Sequence, residues 1–253
     1  MQFSIIIQAR LGSSRLFGKV LKNYKNYNLL KVLIKRLQRS KKIKDIIIAT
    51  TRLKEDNKIV KFCENNSIKF FRGSKNDVLN RYYNASKKYN VKNIIRITSD
   101  CPLVDPIILD KMIGEFKKKK LDYLSNTYPE PSTYPDGMDI EIFTFNSLKL
   151  ANRYSTKKYE KEHVTVYIRN NSKFKTFRSD LSKDNSHYRL TIDYLKDFNL
   201  FKNIIDQFKK KIFYIRMNEI IKFLDKNPKL IKYQSKILRN EKFLSDVKRD
   251  KIQ

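Results

Sequence analysis

Tryptophan is absent from this sequence, and glycine and proline number only five and six among 253 residues. That scarcity excludes collagen-like chains and Gly/Pro-rich low-complexity segments. Cysteine is scarcer still. Cys63 and Cys101 are too few for a disulfide framework and show no metal-type spacing. Reduced thiols and a cytoplasmic location are therefore expected. No apolar run approaches the length of a membrane span. The early run Phe3–Ile7 is too short for a secretory signal and has no basic residue before it. Acidic residues are in deficit, 26 Asp+Glu against 56 Lys+Arg, for a net charge of +30. The lysines are spread along the chain, with only short clusters such as those at 117–120 and 209–211. Heavy use of Lys, Asn and Ile beside the shortage of Gly and Pro is what an AT-rich genome produces. The charge thus reads as solvated lysine faces, and no aromatic RNA-binding motif marks a specific nucleic-acid partner. It also leaves local positive charge for a polyanionic small molecule.

What is present is a pattern of short β-rich runs alternating with helical ones. Forty per cent hydrophobic residues can build a real core at this length. FSIII (3–7), DIIIAT (45–50), IKFF (68–71) and NIIRIT (93–98) read as strands. Between them, helical spacing recurs at Leu30, Leu33, Ile34 and Leu37, near 55–66 and near 76–89. It returns at Leu109, Met112, Ile113 and Phe116. The alternation predicts a mostly parallel sheet with helices on both faces. Residues 126–137 read as a loop, 138–145 and 188–193 as strands, and 146–155 and 158–170 as helices. A helix carrying Phe198, Phe201, Ile205 and Phe208 follows. We expect one domain over 1–212 and a basic helical C-terminal extension over 213–253, with Met217, Ile220, Ile221 and Leu224 in helical register.

The first strand runs straight into QARLGSSRLFGKVL (8–21). In open α/β sheets, ligands bind beyond the carboxyl ends of the strands. Gly12 and Gly18 permit tight turns, and Ser13 and Ser14 offer hydroxyls and N–H groups. Arg10, Arg15 and Lys19 can meet phosphate oxygens. The pattern is neither a Walker A loop nor a GxGxxG fingerprint. An anion-binding loop and an ordinary exposed βα loop both fit these residues. Asp100 and Asp193 each end an apolar run at the same expected rim. They could hold Mg²⁺ against a polyphosphate, or simply cap the turns that follow.

The stretch IIIQARLGSSRLFGKVL resembles the signature IxQARxxSxRLPGKxL of the cytidylyltransferases. The subgroup it resembles is the one named for spore coat polysaccharide biosynthesis protein F, related to the enzymes that activate Kdo and acylneuraminates. Further segments resemble family motifs in order: RGSKNDVLNRYYNA (72–85), RITSDCPLVDP (96–106), YPDGMDIEIF (134–143), YEKEHVTVYIRNN (159–171) and YRLTIDYLKDFNL (188–200). The resemblance ends near residue 208. Phe17, Ser99, Val166, Tyr194 and Leu195 depart from it, and three of these replace a proline of the motif.

The resemblance implies a nucleotide-diphospho-sugar transferase fold, GT-A-like and Rossmann-like. It implies transfer of CMP from CTP to a sugar or sugar acid, Mg²⁺ as cofactor, and a homodimer as the expected assembly. Asp100 and Asp193 match metal ligands. Gln8, Ala9, Arg10, Leu11, Gly12, Ser13, Arg15, Lys19, Arg72 and Asp77 match nucleotide-side positions, and Ser99 stands at another of them in place of the motif's glycine. Asp136, Asp139, Glu141, Glu162 and His163 fall in motifs on the acceptor side. His163 is open to two readings, a base or substrate contact and a histidine hydrogen-bonded at a helix start. Arg169 and Arg189 could bind a substrate carboxylate or pair with surface acids. Two other functions compete. One is a glycosyltransferase of the same fold, against which the lack of a DxD motif counts. The other is a non-catalytic RNA- or anionic-surface-binding protein, which would have no need of the two aspartates.

Overall fold

The computed structural model describes residues 1–234 and 237–252, the side chains of 251 and 252 excepted. Four parallel strands form its centre: β1 (Phe3–Gln8), β2 (Ile43–Thr51), β3 (Lys69–Gly73) and β4 (Asn93–Thr98). With β5 (Tyr123–Ser125), β6 (Glu141–Thr144) and β7 (Thr176–Arg178) they make one sheet, ordered β3-β2-β1-β4-β6-β5-β7. β6 runs antiparallel to both its neighbours.

The central strands are isoleucine-rich because both faces are covered, and β-branched side chains pack well on a pleated surface. Phe3, Ile5, Ile7, Ile48, Ile95 and Ile97 enter one apolar layer. It is completed by α1 (Leu29–Leu37), α2 (Asn57–Asn65), α4 (Pro106–Lys119), α8 (Leu195–Phe208) and α9 (Met217–Asp225). Ile6, Ile47, Ala49 and Ile94 enter the other layer, under α3 (Val78–Lys88), α5 (Phe145–Tyr154) and α7 (Val166–Arg169). Asn28, Asp77 and Asp105 start α1, α3 and α4 by accepting N–H bonds from Lys31, Asn80 and Ile107. Each cap satisfies a donor that the helix leaves unpaired. Among the described residues, no helix is long and apolar enough to cross a membrane.

Several expected elements differ. Only Glu141–Thr144 of 138–145 is strand. Segment 188–193 is not a strand but a lining laid against the 134–138 turn. It makes a single bridge, Asp136 with Arg189, and both Leu190 and Thr191 donate to the Asp136 carbonyl. Gly137 makes that approach possible. Its φ is +98°, and a Cβ there would stand 2.3 Å from the Thr191 nitrogen. The expected helix 158–170 breaks at Val164, whose φ is +56°, into α6 (Lys158–His163) and α7. β5 and β7, of three residues each, were not expected.

The C-terminal extension does not form a second core. Ile212, Ile215, Met217, Ile220, Ile221 and Leu224 join the layer of α1 and β1. The Arg36 side chain, fully buried, donates to the carbonyls of Leu103, Val104, Ile212 and Ile215, stitching body to extension. Asp105 accepts from both Arg216 and the Met217 N–H. Residues 235, 236 and 253 of the expected extension lie outside the described residues. Beyond them α10 (Glu241–Ile252) returns to pack on α6.

Candidate active site

Because β1, β2 and β4 are parallel, their carboxyl ends share one rim. The opening loop leaves β1 there and is pinned from below. Asp56, fully buried, accepts the Leu11 N–H at 2.8 Å and the Thr51 hydroxyl. The Leu11 carbonyl accepts from Ser13 and Gly18, the latter at φ +67°. This folds the loop back so that Lys19 turns inward. A cleft of about 1020 Å³ opens at this rim. It is large for one small ligand.

Lys19 is the hub. Its Nζ donates to Asp100 Oδ2 at 3.0 Å, Asp193 Oδ1 at 2.8 Å and the Ile192 carbonyl at 2.8 Å. Burial works against the ammonium, but the two carboxylates outweigh it and hold the Lys19 pKa above its ordinary value. The converse holds for Asp100. Burial alone would raise its pKa, yet Lys19 brings it well below the usual carboxylate range. Arg15 adds a second cation on Asp193 Oδ1 at 2.8 Å and lies over the Tyr194 ring. Arg189 takes the other oxygen, Oδ2, at 3.0 Å, and also bonds Asp136 and Asp197. Asp193 is therefore held by three cations and cannot rotate freely. It reaches the rim from the 188–193 lining rather than from a strand end, because the 134–138 turn carries that lining to Asp100. The Ile192 N–H donates to the Asp100 carbonyl at 2.8 Å.

Of the residues singled out in the sequence, Gln8, Ala9, Arg10, Gly12, Ser13, Arg15, Lys19, Ser99 and Asp100 line the cleft. So do Asp136, Asp139, Glu141, His163, Arg189 and Asp193. Leu11, Arg72 and Asp77 do not. Leu11 is buried as the loop's anchor. Arg72 donates to the carbonyls of Thr51 and Leu53, and Asp77 is spent on capping α3.

Several lining residues are held in internal bonds. Glu141 accepts from Arg96, Tyr123 and Thr165. Burial opposes its charge, but Arg96, with help from Thr165, Arg169 and Tyr123, outweighs that and keeps its pKa low. Asp136 is pushed up to about 7, first by burial and then by the neighbouring Asp139. Asp139 is raised too, because burial outweighs its partner Arg239, 2.9 Å away. His163 ends α6 instead of starting a helix. Its Nε2 pairs with Asp246 at 3.0 Å, and its ring meets the Phe243 ring. Burial is the main cause that pushes its pKa down to about 4, so the imidazole is neutral at pH 7. Arg189 pairs with buried aspartates, not with surface acids.

That α10 forms part of the wall was not foreseeable from the sequence. Lys242 bonds Glu162, which Arg10 also reaches, and Glu241 bonds Tyr194. Arg169 is stacked between Tyr128 and Phe243. These contacts span more than forty residues in sequence, so no local pattern announces them.

Among the described residues, no group of three or more His, Cys, Asp and Glu side chains could hold a metal ion by itself. Asp100 and Asp193 nevertheless fit a hard cation that takes its remaining ligands elsewhere. The Lys19 ammonium already sits between them, so both carboxylates converge on one cation position. Mg²⁺ commonly takes one or two carboxylates, with phosphate oxygens and waters supplying the rest.

The family model described as cytidylyltransferase matches residues 4–244, past the expected 212/213 boundary and into α10. An uncharacterized protein of Methanocaldococcus jannaschii, MJ1063, is 41% identical over 235 residues, covering 92% of this chain and 94% of that protein. The spore coat polysaccharide biosynthesis protein SpsF of Bacillus subtilis is 32% identical over 237 residues, covering 88% and 94%. The solved structure of a cytidylyltransferase from Leptospira borgpetersenii serovar Hardjo-bovis matches with a TM-score of 0.86 at 37% identity, covering 92% of this chain and 97% of that one. With the six ordered motifs and the cleft they build, this similarity over nearly the whole length means that the chain belongs to the cytidylyltransferase family.

Proposed function

We propose that this chain transfers CMP from CTP to a hydroxyl of a sugar or sugar acid and releases pyrophosphate, as a step of surface polysaccharide or glycan biosynthesis. One observation carries the reading. Arg15 and Lys19 converge with Asp100 and Asp193 beneath the opening loop, in a cleft with room for two ligands. The likeness to SpsF supports the polysaccharide direction. The same reading takes the cytoplasm as the location and a homodimer as the assembly.

The acceptor oxygen bonds to the α-phosphorus as the bond to the β-phosphate oxygen breaks, and the hydroxyl proton passes to solvent. Such a displacement needs positioning and charge neutralisation more than covalent catalysis. Arg10, Arg15 and Lys19 take the β- and γ-phosphates. Arg15 and Lys19 thereby exchange carboxylate partners for phosphate oxygens. Asp100 and Asp193 would hold Mg²⁺, which when bound neutralises phosphate charge and polarises the α-phosphorus. Arg189 keeps Asp193 aimed at the cleft, and Asp56 keeps the loop folded over it. His163 is no general base in this scheme, since Asp246 occupies its Nε2.

The test is pyrophosphate release over four nucleoside triphosphates and a panel of sugars and keto sugar acids. Release with CTP and an acceptor, lost in Asp100→Asn, is expected. Release with another triphosphate and not CTP would overturn the nucleotide assignment.

A further inference from the structure

Among the described residues, three arginines are buried: Arg36, Arg81 and Arg189. They solve the same problem differently. A buried guanidinium must find partners for its charge and its five N–H groups. Arg189 has three carboxylates. Arg36 has no carboxylate, but four backbone carbonyls surround it. Arg81, on α3, has neither. It is 2% exposed, yet its one hydrogen-bond acceptor is the Ser74 carbonyl, at 2.6 Å from Nη1. Among the described residues, its buried Nε has no partner and no carboxylate lies within ion-pair distance.

Arg81 is also fixed in place. Its stem crosses Gly73 so closely that a Cβ there would stand 2.8 Å from the Arg81 Cγ. Arg81 lines the cleft, as does Arg10 from the opening loop. Burial lowers its pKa, and the Arg10 charge lowers it further, with Tyr82, Glu162 and Asp56 offsetting only part. Two arginines thus line one cleft, near enough for the charge of Arg10 to act on Arg81, and one of them is dry and underbonded. Among the described residues, Arg10 itself is held only by Glu162, at 3.4 Å. A fold that strands donors in this way is stabilised by a ligand that brings acceptors.

We propose that Arg81 is a nucleotide ligand, forming with Arg10 a subsite for a phosphate oxyanion. An oxyanion supplies both things Arg81 lacks, a counter-charge and acceptors for a planar fork. The proposal rests on the reading that the cleft takes CTP, and its test separates the two. Binding of CTP, CMP, pyrophosphate and inorganic phosphate is measured by calorimetry for the wild type, Arg81→Met and Arg36→Met, alongside melting temperatures without ligand. Arg81→Met keeps the stem on Gly73 and removes only the stranded charge. It should melt no lower than the wild type and lose at least tenfold in affinity for CTP and pyrophosphate. A loss shared by CMP assigns the subsite to the α-phosphate, and a loss spared there assigns it to the outer phosphates. Arg36→Met should do the reverse, melting lower and keeping its affinity.

Affinity of Arg81→Met within twofold of the wild type for every phosphate ligand would overturn the proposal. If Arg81→Met does not fold, the wild type with ¹⁵N-labelled arginine decides. Its Arg81 Nε–H signal, identified by its loss in Arg81→Lys, should shift on adding pyrophosphate, and an unmoved signal overturns the proposal. Wild type that binds pyrophosphate through Arg81 but no CTP would leave the subsite standing and sink the cytidylyltransferase reading. Equal CTP binding by wild type and Arg81→Met would do the opposite.

Discussion

Replacing Lys19 with methionine removes one ammonium and leaves two carboxylates that had shared it. Their fates differ. Asp193 keeps Arg15 and Arg189. Asp100 loses its single ion pair among the described residues. Stranding a fully buried charge costs about 3–5 kcal/mol. The Asp100 side chain is 28% exposed, which lets water recover part of that. The expected loss is about 2–3 kcal/mol at neutral pH, or roughly 4–12 °C in melting temperature for a chain of this size. The pH dependence follows from the depressed Asp100 pKa. A carboxylate held low in the fold adds stability above its unfolded pKa, and that stability is lost as pH falls through the folded value. Without Lys19 the depression disappears. The gap between wild type and Lys19→Met should therefore be widest near pH 7.5 and narrow as pH falls below the ordinary carboxylate range. Thermal melts of both proteins from pH 7.5 down to the acid limit of the fold test this. A gap that is absent, or that does not change with pH, would refute the account of Lys19 as the counter-charge of Asp100.

Three further outcomes are expected. Lys19→Met should gain more from Mg²⁺ in melting temperature than the wild type does, because its two carboxylates no longer hold an ammonium; equal gains would remove them from the metal site. His163→Gln should keep turnover within a few-fold, and no limb between pH 5 and 8 in the wild-type profile should vanish with it, since the wild-type imidazole is already neutral there; a loss of a hundredfold or more would restore it as a base. Deleting 213–253 should leave no cooperative unfolding transition, because it uncovers the core beside Leu29, Leu33 and Ile205; deleting only 237–253 should leave a folded chain with a raised KM, as α10 lines the cleft but adds little to the core. A cooperative melt from the first truncation would mean that the extension is not needed for the core.

How much of this was legible depended on the range of the signal. The isoleucine runs of β1, β2 and β4 and the capped helices between them are local, and their periodicity announced them. β5 and β7 are too short for any pattern to mark. YRLTID alternates like a strand, but the N–H groups of Leu190, Thr191 and Ile192 go to the Asp136 and Asp100 carbonyls instead of a ladder, and Gly137 is the trace of that in the sequence. Asp100, Asp193 and Lys19 were legible as chemistry, while their union under one ammonium was not, since it joins positions far apart in the chain. Arg81 lies in the motif segment 72–85, but its role was not legible there. In a chain this basic, one arginine within a helix looks like all the others until its burial and its missing partners are seen.

The central claim is that the α-phosphate of CTP moves to an acceptor while the outer phosphates leave together. Parallel reactions with CTP labelled at the α- or the γ-phosphorus, run with the acceptor that releases pyrophosphate, test it most directly. The account predicts that α-label appears in an acceptor-linked product and γ-label only in pyrophosphate, with neither conversion in Asp193→Asn. Gamma-label released as inorganic phosphate, with the α-label remaining in CDP, would mean hydrolysis at a different phosphorus and would contradict it.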